Sequence, residues 1–254
     1  NVQFNIFGCH LKAGDTPADA TRRANEINAL RTVTNSNAPG TMSIFVGDFN
    51  IYGSTEQAYI NLTQVQAGNE GHFVDPVILA GDWGQFAYRS HHTQSTRVRQ
   101  LADSGSTGGM DDRFDLIVFS KAIADGNRAI TYIPNSYKPY GNDGNHYNDS
   151  INKRPNTAVA DSIADALYYA SDHLPTTALF RVYDQTSVSQ LGTFIPNKFE
   201  LRQNYPNPFN PETKIKFDIP KGGYVRLSVY NSLGQKITEL VNQNLSAGQY
   251  ETGW

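Results

Sequence analysis

Met42-Ser43-Ile44-Phe45-Val46-Gly47-Asp48-Phe49-Asn50 is an apolar run that passes without a break into a glycine, an aspartate and an asparagine. In α/β sheets, polar side chains at the ends of such strands converge on one site. Residues 2–9 form a similar run, read as a buried strand ending at His10. Between the two, Asp15-Thr16-Pro17 is a helix start, a capping oxygen followed by proline in the first turn. Ala20, Ala24, Ile27, Leu30 and Val33 then recur at helical spacing, with Arg22, Arg23, Glu26 and Arg31 mostly on the other face, and residues 35–40 break the helix. Strand, helix, strand predicts an α/β domain.

The pattern continues toward the C-terminus. A short helix is predicted over 55–62, and a long polar loop or ribbon over 89–110. A strand follows over 114–119, then an Asn/Tyr/Gly/Pro-rich surface loop over 134–156 and a helix over 158–169. That helix leads to Ser171-Asp172-His173-Leu174-Pro175 and a last strand over 176–182. Residues 184–197 read as a polar linker. Beyond it, alternating segments at 214–219, 224–230 and 236–241 are separated by Pro220-Lys221-Gly222-Gly223 and Ser232-Leu233-Gly234, which predicts a small all-β module.

Charge narrows the function. Residues 1–184 hold 14 Lys/Arg against 19 Asp/Glu, and residues 185–254 hold 7 against 5. A tight nucleic-acid binder carries a basic excess. An acidic catalytic part can still cut phosphodiesters if divalent metals bring the positive charge, so turnover is favoured over tight binding. With Cys9 as the one cysteine, no intrachain disulfide forms, and no segment approaches the roughly 18 apolar residues of a membrane helix. The chain opens at Asn1 with neither an initiator Met nor a charged-then-apolar leader. It therefore reads as a fragment or processed product, and a missing signal peptide is uninformative about export.

The chemistry-bearing residues stand at strand ends. His10 ends the first strand, Asp48 and Asn50 the second, Asp115 lies in the third, and Asp172-His173 precede the last. Two carboxylates, two imidazoles and an amide can together bind a divalent cation, orient water and hold a phosphate. Each alone has a plainer reading, since Asp and Asn favour turns. A carboxylate at Asp115, amid Phe114, Leu116, Ile117 and Val118, is costly to bury without a partner, and His173 supplies one.

His10-Leu11-Lys12, Gly47-Asp48-Phe49-Asn50, Arg113-Phe114-Asp115-Leu116 and Ser171-Asp172-His173-Leu174-Pro175 resemble, in order and rough spacing, the motifs of the endonuclease/exonuclease/phosphatase superfamily. The resemblance covers about residues 1–183. It implies a four-layer α/β sandwich of the deoxyribonuclease-like type, matched here in its C-terminal portion, and Mg²⁺- or Mn²⁺-dependent phosphodiester hydrolysis. By that resemblance His10 binds the scissile phosphate or protonates the leaving oxygen, and Asp48 orients or deprotonates water or binds a metal. Asn50 holds a phosphate oxygen, Asp172 approaches the cation, His173 stabilises charge on phosphorus, and Asp115 orients His173. The family's upstream Asn and metal-binding Glu have no counterpart here, nor has the partner carboxylate of His10. The 254 residues alone are therefore expected to bind Mg²⁺ weakly and to be nearly inactive.

At the other end, Leu201-Arg202-Gln203-Asn204-Tyr205-Pro206-Asn207-Pro208-Phe209-Asn210-Pro211, Thr213-Lys214-Ile215 and Val229-Tyr230-Asn231-Ser232-Leu233-Gly234 resemble the type IX secretion sorting domain over about residues 198–254. That resemblance implies the secretion machinery as a partner, an extracellular or cell-surface address on a bacterium, and a module truncated of its last strands.

Arg97 and Arg99, with Arg89, are candidates for contact with a nucleic-acid backbone, though Asp103, Asp111 and Asp112 follow closely. His91 and His92 are expected on an exposed loop, and His72 and His146 at the surface. Tyr137, Tyr140 and Tyr147 are expected to pack their loop down, and Cys9 to lie in the core. The leading expectation is an extracellular nuclease acting on DNA or RNA. A lipid or small-molecule phosphodiesterase of sphingomyelinase type, or a non-catalytic surface module that keeps the fold, are the alternatives.

Overall fold

Strand β2 (Ser43–Asp48) grows from the apolar run around Phe45, and the first sheet of the computed structural model is built around it. It pairs in parallel with β1 (Asn5–His10) and antiparallel with β4 (Asp115–Ser120), and β3 (Phe73–Val74) completes the sheet beyond β4. The structure describes residues 2–126, 129–182 and 188–254, in two compact units that divide at Tyr183 and Asp184.

In the N-terminal unit the strand alternation assigns each face its core. Phe45, Leu116 and Val118 face α1 (Pro17–Thr34) and α2 (Gln57–Thr63), packing on Ala24, Ile27, Ala58 and Leu62. Ile44, Ile117 and Phe119 point the other way, toward Ile130, Tyr137 and Phe180. That second layer is made of β5 (Ile130–Tyr132) paired with β8 (Phe180–Val182), and β6 (Lys138–Pro139) paired with β7 (Thr176–Thr177). The short α3 (Lys121–Ala124) follows β4, and α4 (Asp161–Ala170) packs through Leu167 and Tyr168 on Met110, Ile151 and Leu174. The unit is a mixed α/β fold with several sheets.

Several expectations change in detail. Among the described residues the opening strand β1 pairs with β2 alone, and Phe4 and Ile6 are exposed rather than buried. Helix α1 starts as read, with Thr16 Oγ1 accepting from the Asp19 N–H at 3.2 Å and Pro17 in its first turn. Its inner face, however, carries Arg23 and Arg31, while Val33 is exposed. Both arginines are satisfied inside. Arg23 forks onto Glu56 and the carbonyls of Lys12 and Gly14, and Arg31 donates to the carbonyls of Asn61, Leu62 and Gln64. The segment 176–182 is two strands with different partners, not one. The loop at 134–156 is packed, with His146 buried between Asp143 and the Lys153 carbonyl. The segment 89–110 is irregular as expected, apart from the 3-10 turn Phe86–His91 that enters it.

The C-terminal unit is all-β. A sheet of β9 (Ser189–Gln190), β10 (Glu200–Leu201), β11 (Lys214–Ile219) and β14 (Gly248–Gly253) runs in the order β10-β11-β14-β9. Strands β12 (Gly223–Tyr230) and β13 (Lys236–Leu245) form a hairpin. Its turn is fixed by Asn231 Oδ1, which accepts from the Leu233 and Gln235 N–H groups. Phe217, Ile219, Val241 and Tyr250 form the core. Of the linker expected at 184–197, residues 184–187 lie outside the described residues, and Ser189–Gln190 is a strand of this sheet.

Candidate active site

Register builds the site. Across the first sheet His10 pairs with Asp48 and Asp48 with Asp115, so three polar residues form one row at the sheet's end. Neighbouring strands lie about 4.8 Å apart, so the three residues are next to one another. Asp48 and Asp115 fall on the alternation of Ile44, Val46, Ile117 and Phe119, so they rise on the face covered by the second layer. Gly47 allows this close approach. Its φ is +141°, and a Cβ there would stand 2.0 Å from the Cys9 carbonyl oxygen.

The fourth member comes from the segment before β7. His173 Nδ1 lies 2.7 Å from Asp115 Oδ2, and its Nε2 lies 3.6 Å from Asp48 Oδ2. His10 Nε2 approaches the same Asp48 oxygen at 3.4 Å, so the carboxylate that sequence alone did not supply for His10 is Asp48. His173 is steered by the loop beside it. Thr93 accepts the Leu174 N–H through its carbonyl and the Phe114 and Asp115 N–H groups through its hydroxyl, while the Thr96 N–H and hydroxyl hold the Asp172 and Ser171 carbonyls.

Electrostatics follow from this packing. Burial works against a charged His173, but the hydrogen bond and charge of Asp115, with Asp48 and Asp172, outweigh it and raise its pKa above the ordinary 6.5. The folded chain therefore binds this proton more tightly than the unfolded one. The ring's contribution to stability is full below 6.5 and is lost as pH rises through the raised value. Burial lifts Asp48 against the pull of His173, and Asp115 adds to the rise. Burial pushes the Cys9 thiol up to about 12, as expected of a core cysteine without a nucleophile's setting.

Asp172 stands beside His173, with its Oδ2 accepting from the Ser106 N–H at 2.6 Å. Asn50 is buried at a positive φ. Its amide donates to the Leu11 carbonyl and its backbone N–H to Asp48 Oδ1, so it ties the ends of β1 and β2 together. Arg97 is fully enclosed, its guanidinium held by Asp103 at 2.7 Å, whereas Arg99 is exposed. Arg89 donates to the Gly144 carbonyl. His92 is not on an exposed loop: it is fully buried between the carbonyls of Trp83 and Met110. His91 is half-buried and His72 buried, each with its pKa lowered chiefly by burial. Tyr137 is buried, with its hydroxyl on the Asp115 carbonyl, and Tyr147 donates to the Gly84 carbonyl, while Tyr140 is exposed.

Two site residues escaped the sequence reading. The end of the Gln94 side-chain amide lies 2.5 Å from His173 Nε2 and 3.4 Å from Asp172 Oδ2; a charged His173 can only donate from Nε2, so the amide meets the ring with its oxygen. Asp112 is lifted to about 7 by burial and by Asp111 and Asp82, with His173 pulling the other way. Neither lies in a periodic segment, so no pattern marked them.

No protein-family model matches the chain, and no curated protein matches it. Solved structures similar to it include beta toxin from Staphylococcus aureus, at 20% identity over 68% of this chain and 51% of that one, with a TM-score of 0.36. An endonuclease/exonuclease/phosphatase from Beutenbergia cavernae matches at 13% identity over 96% and 54%, with a TM-score of 0.34. Truncated TDP2 from Caenorhabditis elegans matches at 16% identity over 70% and 53%, with a TM-score of 0.36. The chain spans about half the length of each.

Proposed function

We propose that the N-terminal unit carries the phosphoryl-transfer site of a metal-dependent phosphodiesterase, an extracellular nuclease in the first instance. The observation that supports this reading is His173 seated between the carboxylates of Asp115 and Asp48, with Asp172 next to it and His10 across Asp48.

The donor set suits a hard divalent cation. Among the described residues no three or more His, Cys, Asp or Glu side chains form a cage. Mg²⁺ needs none, since it keeps waters and takes one or two carboxylates together with substrate oxygens. Asp172 is the residue that would hold it, and Asp48 is left to the attacking water. When bound, the ion would neutralise charge on the phosphate oxygens.

The chain's own residues perform the rest. Asp48, lifted by burial, accepts a proton from the attacking water. His173, kept charged by Asp115, donates a hydrogen bond to the phosphate oxygen on which charge develops. His10, exposed and within reach of Asp48, donates to the departing oxygen. The proton taken from water and the proton given to the leaving group balance.

A second reading, hydrolysis of a lipid or small phosphodiester, draws on Asp112, which feels the charge of His173 on one side and of Asp82 and Asp111 on the other. Carboxylates grouped in this way repel a polyanion more than a single phosphate. The full-length protein assayed with Mg²⁺ or Mn²⁺ on plasmid DNA, sphingomyelin and bis-nitrophenyl phosphate separates the two. DNA cleavage abolished by EDTA is expected. Activity confined to the lipid would end the nuclease reading, and activity on none would end both.

The C-terminal unit we assign to type IX export. In support, the Pro/Asn segment is docked on β11: Tyr205 pairs with Lys214, and Thr213 Oγ1 donates to the Pro206 carbonyl at 2.7 Å. Among the described residues no helix is long and apolar enough to cross a membrane. Deleting residues 198–254 from the full-length protein in its host should trap it inside the cell. Unchanged secretion would remove the sorting role.

A further inference from the structure

Arg97 is a charge sealed beneath a loop. Its Nη2 donates to Asp103 Oδ2 at 2.7 Å and its Nη1 reaches the Tyr168 carbonyl at 3.5 Å, while Nε has no hydrogen-bond partner. Asp103, by contrast, is 46% exposed. The loop that carries it, residues 103–106, is pinned to the candidate active site at its other end. The Ser106 N–H donates to Asp172 Oδ2 at 2.6 Å, and the Ser106 carbonyl accepts from Ser95 Oγ at 2.7 Å. Between the two ends lies Gly105. A Cβ there would stand 2.2 Å from Arg97 Nη2 and 2.9 Å from Asp172 Cγ, so one glycine separates the guanidinium from the carboxylate.

We propose that Arg97 is a binding site for a phosphate-ester anion, occupied at rest by the Asp103 carboxylate, and that residues 103–106 are a strap which the anion displaces. Stripping a buried guanidinium of its counter-charge is costly unless another anion replaces it. Asp103 takes only one arm of the fork and leaves Nε free, whereas two oxygens of a phosphate match the Nη2–Nε pair. The exposed end of the ion pair is the carboxylate, so Asp103 is the partner that can leave. Lifting the strap also withdraws the Ser106 N–H from Asp172, so the event that seats a phosphate frees a carboxylate oxygen beside it. The role of Asp172 in this scheme rests on the phosphodiesterase reading; anion binding at Arg97 does not.

Hydrogen exchange of the full chain tests it, read on peptides covering residues 99–108 with inorganic phosphate or with chloride at equal ionic strength. Phosphate should speed exchange at Ser106 by about tenfold or more through local opening, and chloride should not. Asp103→Asn should exchange fast without phosphate. Gly105→Ala, which crowds the strap and leaves the ion pair's residues intact, should do the same. Arg97→Lys, which keeps the charge but loses the fork, should weaken the phosphate response. Equal responses to phosphate and chloride, or slow exchange in both strap variants, would overturn the proposal. Mn²⁺ binding followed by electron paramagnetic resonance separates it from the parent reading. Asp103→Asn should bind Mn²⁺ several-fold tighter than the unaltered chain, with affinity lost on Asp172→Asn. Mn²⁺ affinity indifferent to Asp172→Asn counts against the phosphodiesterase site while leaving the phosphate-driven exchange to stand or fall alone.

Discussion

Replacing His173 with alanine should lower phosphodiester turnover of the full-length protein by about two to four powers of ten. The ring ion-pairs with both row carboxylates, at 2.7 Å from Asp115 and 3.6 Å from Asp48. Its removal deletes the proposed donor to the phosphate and leaves two nearby carboxylates facing each other without a cation between them. The loss should fall on kcat more than on KM, because the hydrogen bond strengthens as charge develops. Circular dichroism should be unchanged, since His173 is partly exposed and its backbone is held by Ser171 and Gln94. Near-normal rates in this variant would remove His173 from the mechanism.

The second large effect is on stability. Asp75 and Arg113 form a fully buried bidentate pair, at 2.8 and 2.9 Å, with the Tyr59 hydroxyl on Asp75 and the Arg113 guanidinium over the Trp83 ring at 4.8 Å. Burial opposes the arginine's charge, and Asp75 more than compensates. Asp75→Ala leaves that charge without a partner and should cost about 3–5 kcal/mol, a large part of the roughly 5–15 kcal/mol that holds a typical domain together. Urea unfolding measures it, and a loss below about 1 kcal/mol, the scale of exposed pairs, would show the pair to be energetically idle. The same pair supports the site. Arg113 lies beneath Tyr137, 5.5 Å from its ring, and the Tyr137 hydroxyl holds the Asp115 carbonyl.

The strands and the site row were legible because both obey simple periods. Phe45, Leu116 and Val118 alternate with Ile44, Ile117 and Phe119, and the same period carries Asp48 and Asp115 to one face. What was not legible depends on partners distant in sequence. Arg23 and Arg31 read as the outer face of α1, Arg97 as a candidate contact for a nucleic-acid backbone and Arg113 only as part of a motif, yet each is buried because carboxylates or carbonyls meet it. His92 and His146 likewise are inside because backbone carbonyls take their ring nitrogens. Gln94 could be found only once the irregular segment 92–97 was seen against Asp172 and His173, since no periodicity governs such a loop. The segment 2–9 was apolar enough to read as buried, but burial of a strand also depends on neighbours on both sides, and among the described residues β1 pairs with β2 alone.

All of the chemistry turns on one imidazole held by two acids. A nuclear magnetic resonance titration of the His173 ring reads that contact without any assumption about substrate. The ring should titrate above 6.5 in the unaltered chain and move back down in Asp115→Asn, where burial is left opposing the charge with less to offset it. A ring that titrates at the ordinary histidine value, and that does not respond to loss of Asp115, would mean that the pocket is not assembled.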